Sequence, residues 1–172
     1  ENIACLFRYL SECKPLVLLV STPCTGLHGF SAINKVINRA TWLKSRRNSI
    51  ALQRLGVAAI AKQLKEGRHF VSEQPLRSEG YEITEWKELE KYYEIHRVVV
   101  DQRMAGKVGR KSGWPIRKPT DFRASTSLLL EGLKRFKCDG RHQHAQLGGS
   151  GRLRPWANAT TETPSDHAEW PP

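Results

Sequence analysis

Apolar positions along the chain alternate between short aliphatic runs and stretches of helical spacing. Leu16-Val17-Leu18-Leu19-Val20 is a continuous aliphatic run bounded by Pro15 and by Ser21-Thr22-Pro23. It predicts a strand buried on both faces of a parallel sheet. From Asn48 to about residue 66, Leu52, Leu55, Ala59, Ile60 and Leu64 follow helical spacing; Asn48 or Ser49 can cap the start and Gly67 stops the helix. Residues 69–72 read as a short strand ending in Glu73-Gln74-Pro75. Residues 84–93 read as a second helix with a Thr cap and glutamates in its first turns. Residues 98–100 make a third strand, 118–123 a fourth, and 128–136 a last helix carrying Leu129, Leu130 and Leu133.

Strand, helix, strand, helix, strand is the order of crossover units, so the predicted class is α/β: a mostly parallel sheet with helices on both faces, a three-layer sandwich. A length of 172 residues suits one domain, over residues 1–147. From Gly148 onward the chain runs Gly-Gly-Ser-Gly and then Pro155, Pro164, Pro171 and Pro172 without periodicity, which predicts a disordered C-terminal tail over 148–172. No apolar run approaches the ~18 residues needed to cross a bilayer. The N-terminus carries neither Met nor a secretory layout, so it reads as the interior of a longer chain. Four cysteines without a CxxC pair predict a reducing, intracellular setting.

The net charge of +11 is unevenly spread: residues 1–96 hold 14 basic and 10 acidic groups, 97–154 hold 14 and 4, and 155–172 none and three. The positive field belongs to the middle block. There Arg103, Lys107, Arg110, Lys111, Arg117, Lys118 and Arg123, interleaved with Trp114 and Phe122, form a candidate nucleic-acid-binding surface, since scattered cations displace counterions from phosphates. A solvated loop that keeps the chain soluble has the same composition.

In parallel α/β sheets chemistry gathers beyond the carboxyl ends of the strands. Cys24 stands there after Pro23, just past the first strand, where a sharp turn presents a thiol; a thiolate is a nucleophile, while a cysteine is also a common small buried hydrophobe. Glu73 follows its own strand at the same end, so nucleophile and acid/base group meet if the two strands are neighbours; an ordinary exposed acid fits the spacing equally well. Cys138, His142 and His144 lie within seven residues and could bind zinc, with His96, Cys5 or Cys13 as a fourth ligand. A polar loop of solvated histidines is the alternative.

The order of Pro23-Cys24, Glu73-Gln74-Pro75 and the segment from Asp101-Gln102-Arg103 through Pro115-Ile116-Arg117-Lys118 resembles the catalytic half of the cytosine-C5 DNA methyltransferases, over residues 16 to about 125. The second motif reads Gln-Pro where that family has Asn-Val. The resemblance implies a partial Rossmann-like fold, with Cys24 adding to C6 of a flipped-out cytosine. It also implies Glu73 at N3 and the exocyclic amine, Arg117 or Lys118 as cationic support, and S-adenosylmethionine as methyl donor. That family cradles the donor in a glycine-rich loop ahead of the catalytic strand; the 15 residues before Leu16 contain none, so the chain reads as a catalytic-side half. Lys118-Pro119-Thr120-Asp121-Phe122 and Cys138-Asp139-Gly140-Arg141-His142-Gln143-His144 extend the likeness to a module of retrotransposon-type polyproteins of protists, to about residue 149. The resemblance thus implies a DNA-directed, nuclear methyltransferase-like region, DNA being the partner rather than RNA, or else a non-catalytic nucleic-acid-binding module derived from a mobile element.

Overall fold

The computed structural model describes residues 2–27, 31–106 and 118–138. The predicted tail over 148–172 lies outside them. Four helices, α1 (Asn2–Glu12), α2 (Ser31–Ile37), α3 (Arg39–Lys65) and α4 (Thr84–Tyr92), accompany four strands, β1 (Val17–Val20), β2 (His69–Pro75), β3 (His96–Asp101) and β4 (Pro119–Ala124), among the described residues. Short 3-10 segments cover Glu79–Tyr81 and Gln102–Ala105, and a longer one covers Ser127–Phe136. No helix among the described residues is long and apolar enough to cross a membrane.

The class is α/β, but the sheet is mixed rather than mostly parallel. Its order is β1-β2-β4-β3, with β1 parallel to β2 and β4 antiparallel to both β2 and β3. The chain leaves β3 at Asp101 and returns opposite it at Pro119, so β4 runs back along β3 and inserts between it and β2. An antiparallel neighbour needs only a reversal of direction, whereas a parallel one needs a crossover.

That insertion also lengthens β2. Residues 71–75 pair with β4, with Glu73 opposite Phe122 and Gln74 opposite Asp121. Glu73 therefore stands on a strand, not in the loop predicted for it. Pro75 is tolerated because it closes the strand. β1, predicted to be buried on both faces, is an edge strand with alternating exposure: Leu18 and Val20 pack toward the core, while Leu19 is 67 % exposed.

The core sits on the α3 and α4 side of the sheet. Phe70, Val57, Ile60, Tyr81, Trp86 and Leu89 form its buried cluster. Trp86 meets Phe70 edge-on at 6.2 Å and Tyr81 at 4.6 Å between ring centres. Burial of each large side chain contributes about 1.5–3 kcal/mol. The 3-10 helix Ser127–Phe136, predicted as an α-helix, packs on β3 and β4 and buries Leu130.

Helix α3 begins nine residues earlier than the apolar pattern indicates. Asn38 caps it, its Oδ1 accepting from the Thr41 amide at 3.1 Å, so Asn48 is mid-helix and Ser49 faces the interior. Gly67, at a φ of 70°, ends it as expected. In α4, Thr84 is the first helical residue; the cap position is Ile83, which makes no side-chain capping bond.

Candidate functional site

Cys24 lies in the turn that follows β1, and Glu73 on the neighbouring parallel strand one position past the Val20–Ser72 pair. The two residues named from sequence are thus at the same end of adjacent strands. The turn closes on itself, the Leu27 amide donating to the Cys24 carbonyl at 2.8 Å. Ser21 donates its hydroxyl to Glu73 Oε2 at 2.7 Å, fixing the carboxylate toward the turn.

The Cys24 thiol is half-buried and its pKa lies above the ordinary 9.0. Burial is the largest cause, because it disfavours the thiolate; the Glu73 charge adds to it, and the Lys118 ammonium opposes both. The three side chains therefore share one electrostatic environment. At neutral pH the thiol keeps its proton, and any reaction through it requires that proton to be taken.

Beneath the turn runs a buried polar network. Gln74 donates to the Thr22 carbonyl and to Thr22 Oγ1, each at 3.0 Å, and accepts from Ser78 Oγ at 3.0 Å. Thr22 donates to Gln53 Oε1, and Gln53 Nε2 donates to the Gly80 carbonyl at 3.3 Å. Gln53, Gln74 and Ser78 are all buried. Because a buried polar atom left unsatisfied costs about 1–3 kcal/mol, this set holds the turn in one arrangement.

On its other side the turn presses against α3. The Gly26 amide donates to Ser49 Oγ at 3.2 Å, and Arg46 Nη1 donates to the Gly26 carbonyl at 3.4 Å. A Cβ on Gly26 would lie 2.5 Å from Arg46 Cα, so only glycine fits this approach.

The proposed phosphate-binding residues divide. Lys118 is half-buried beside β4 and within electrostatic reach of Cys24. Arg123 is committed inward: its guanidinium stacks 3.9 Å from the Tyr81 ring centre, pairs with Glu90, and lies 3.7 Å from Asp121. Asp121 is also bound by Arg97 at 2.8 Å. Arg123 thus helps support the core edge, where burial pushes the Tyr81 hydroxyl pKa well up. Arg103 belongs to the 3-10 segment after β3, and Lys107, Arg110, Lys111 and Arg117 lie outside the described residues.

Of the zinc candidates, Cys138 follows the last 3-10 helix and its amide donates to Asp101 Oδ2 at 3.2 Å. His142 and His144 lie outside the described residues. Cys5 and Cys13 are exposed on and just after α1, and His96 opens β3. No group of three or more metal-ligating side chains occurs among the described residues.

The glutamines that pin the turn were not foreseen. For Gln53 a signal was available: it falls on the same face of α3 as Ile60, where a polar residue at an apolar position implies a buried partner. Comparison with family models, curated proteins and solved structures returns no match.

Proposed function

We propose that the chain is a nucleic-acid-directed module of cytosine-C5 methyltransferase type, in which Cys24 adds to C6 of a cytosine turned out of a DNA duplex. The observation that carries the reading is the placement of Cys24 and Glu73 at one end of two adjacent parallel strands, with Lys118 beside them. The parallel β1–α3–β2 unit is the part of the architecture that agrees with a Rossmann-like ancestry.

In the proposed step Glu73 takes the thiol proton and delivers it to N3 of the base. The S–H bond breaks, the S–C6 and N3–H bonds form, and the charge on the ring is neutralised as the sulfur adds. Lys118 lowers the cost of the transient thiolate. Extrusion of the base is required because C6 is inaccessible to a side chain within the stack.

The described residues do not fit S-adenosylmethionine. The segment ahead of β1 is helix α1, and no glycine-rich turn follows a strand before the Cys24 turn among the described residues. No methyl-transfer step is therefore drawn for this chain.

The raised thiol pKa favours a second reading, a module that holds nucleic acid without turnover. A duplex carrying 2-pyrimidinone in place of one cytosine separates the two, because it accepts a thiolate at C6 without needing a methyl donor. The catalytic reading predicts a denaturation-resistant adduct with the wild-type chain, its loss in Cys24→Ser and at least about tenfold slower formation in Glu73→Gln. Absence of adduct, or equal adduct in Cys24→Ser, overturns it.

A further inference from the structure

Between Lys14 and Lys65 the chain carries nine basic residues and no carboxylate. Most of these charges lie on α2 and the first half of α3. Lys35, Arg39, Lys44 and Arg47 are exposed and have no ion pair among the described residues. Arg46 and Arg54 are held by Glu79 at 2.6 Å and by Glu85 at 2.7 Å, respectively.

These cations are ordered relative to one another. On α3, Trp42 has Lys35 Nζ 5.4 Å and Arg46 Cζ 5.6 Å from its ring centre, so one indole orients a cation from each helix. Leu43, Arg46, Arg47, Ile50, Ala51 and Arg54 recur at three- and four-residue steps and line an open groove of about 580 Å³ along α3. Three of its lining residues are apolar and three are arginines. The groove adjoins the Cys24 turn, since Arg46 donates to the Gly26 carbonyl.

We infer that this α2–α3 face is a docking surface for the phosphodiester backbone of a DNA duplex, holding it beside the Cys24 turn. The inference rests on the nucleic-acid reading above and adds a second set of contact residues to those named in the block 97–154. Charge complementarity selects the partner: unpaired cations along more than two helical turns match a repeating row of phosphates, and each neutralised phosphate releases a counterion. Phosphate contacts position a duplex without specifying its sequence, which is what a turn acting on one extruded base requires of its surroundings.

The test is fluorescence anisotropy of a labelled 20-base-pair duplex titrated with the wild-type chain, and with a variant carrying Lys35→Gln, Arg39→Gln, Lys44→Gln and Arg47→Gln, over a range of salt concentrations. Glutamine keeps helix propensity at these exposed sites, and circular dichroism checks that the fold is retained. Loss of four contacts is expected to reduce the slope of log affinity against log salt by about 3 to 4 and to weaken binding at least about tenfold. A second variant with Arg39→Lys and Arg47→Lys keeps the charges and should bind like wild type. If the glutamine variant binds as tightly, with the same slope, while Lys107→Gln, Arg110→Gln and Lys111→Gln together abolish binding, the inference fails and the nucleic-acid reading stands. If the wild-type chain binds no duplex, both fail. Equal or tighter binding to phosphatidylserine vesicles, lost in the glutamine variant, would assign the face to an anionic lipid surface and overturn the inference.

Discussion

The thiol of Cys24 is set by burial and by two charged neighbours acting in opposite directions, each of which can be removed singly. Glu73→Gln removes a repulsion, so the Cys24 pKa should fall and alkylation by iodoacetamide at pH 8 should accelerate. Lys118→Gln removes an attraction and should slow it. In the wild type the rate should climb with pH past the ordinary thiol value of 9.0, because burial and Glu73 keep the proton on sulfur. The same shift has a stability consequence. As pH rises past 9.0 the unfolded chain loses its thiol proton first, so this group's contribution to stability is present below 9.0 and declines above it. Mapping of alkylated peptides by mass spectrometry reads Cys24 separately from the exposed Cys5 and Cys13. At this scale the candidate pair was legible, because a cysteine after proline and an acid after a short strand are local signals. Lys118 carries no such local signal and is offered only by the family resemblance, as an alternative to Arg117. It comes from a segment over 90 residues away, and only the return of β4 brings it close.

The elements that support the site differ in how tightly they are fitted. Gly26→Ala should destabilise the fold by about 1–3 kcal/mol, since the added carbon would collide with the α3 backbone at Arg46 and Ser45, which cannot yield as a flexible side chain would. Gly132→Ala, in the last 3-10 helix, meets nothing within 4 Å and should be neutral or slightly stabilising. Urea unfolding of the two variants measures both. Apolar periodicity located the second half of α3, α4 and all four strands, but not the start of α3. Its first ten residues, from Arg39 to Asn48, are mostly polar, so the helix there is visible only through the cap at Asn38. Helix α1 did carry a signal, with Ile3, Leu6, Phe7 and Leu10 at helical spacing, and Leu10 is its buried residue.

Across the whole molecule, the sheet shows where one-dimensional reading stops. Phe122 and Ala124, alternating with Asp121 and Arg123, mark a strand but do not say whether it lies beside β2 or which way it points. The antiparallel insertion of β4 follows from the pairing of Asp101 with Pro119, a contact between distant residues. It carries Glu73 from a loop onto a strand while leaving it at the β1 end where Cys24 turns. Charge behaves similarly. Counting by segment picks out residues 97–154, whereas the cations of α2 and α3 are fewer and stand out because carboxylates are absent there.

The α2–α3 face adjoins the Cys24 turn through Arg46, and one experiment addresses that junction. The rate of Cys24 alkylation should be measured with and without a saturating duplex that contains a single mismatched cytosine, with Cys5 and Cys13 as internal references. If DNA docks on the α2–α3 face and places the base at the turn, Cys24 should be protected at least about tenfold while Cys5 and Cys13 react as before. An unchanged Cys24 rate in a chain shown to be DNA-bound would contradict the account.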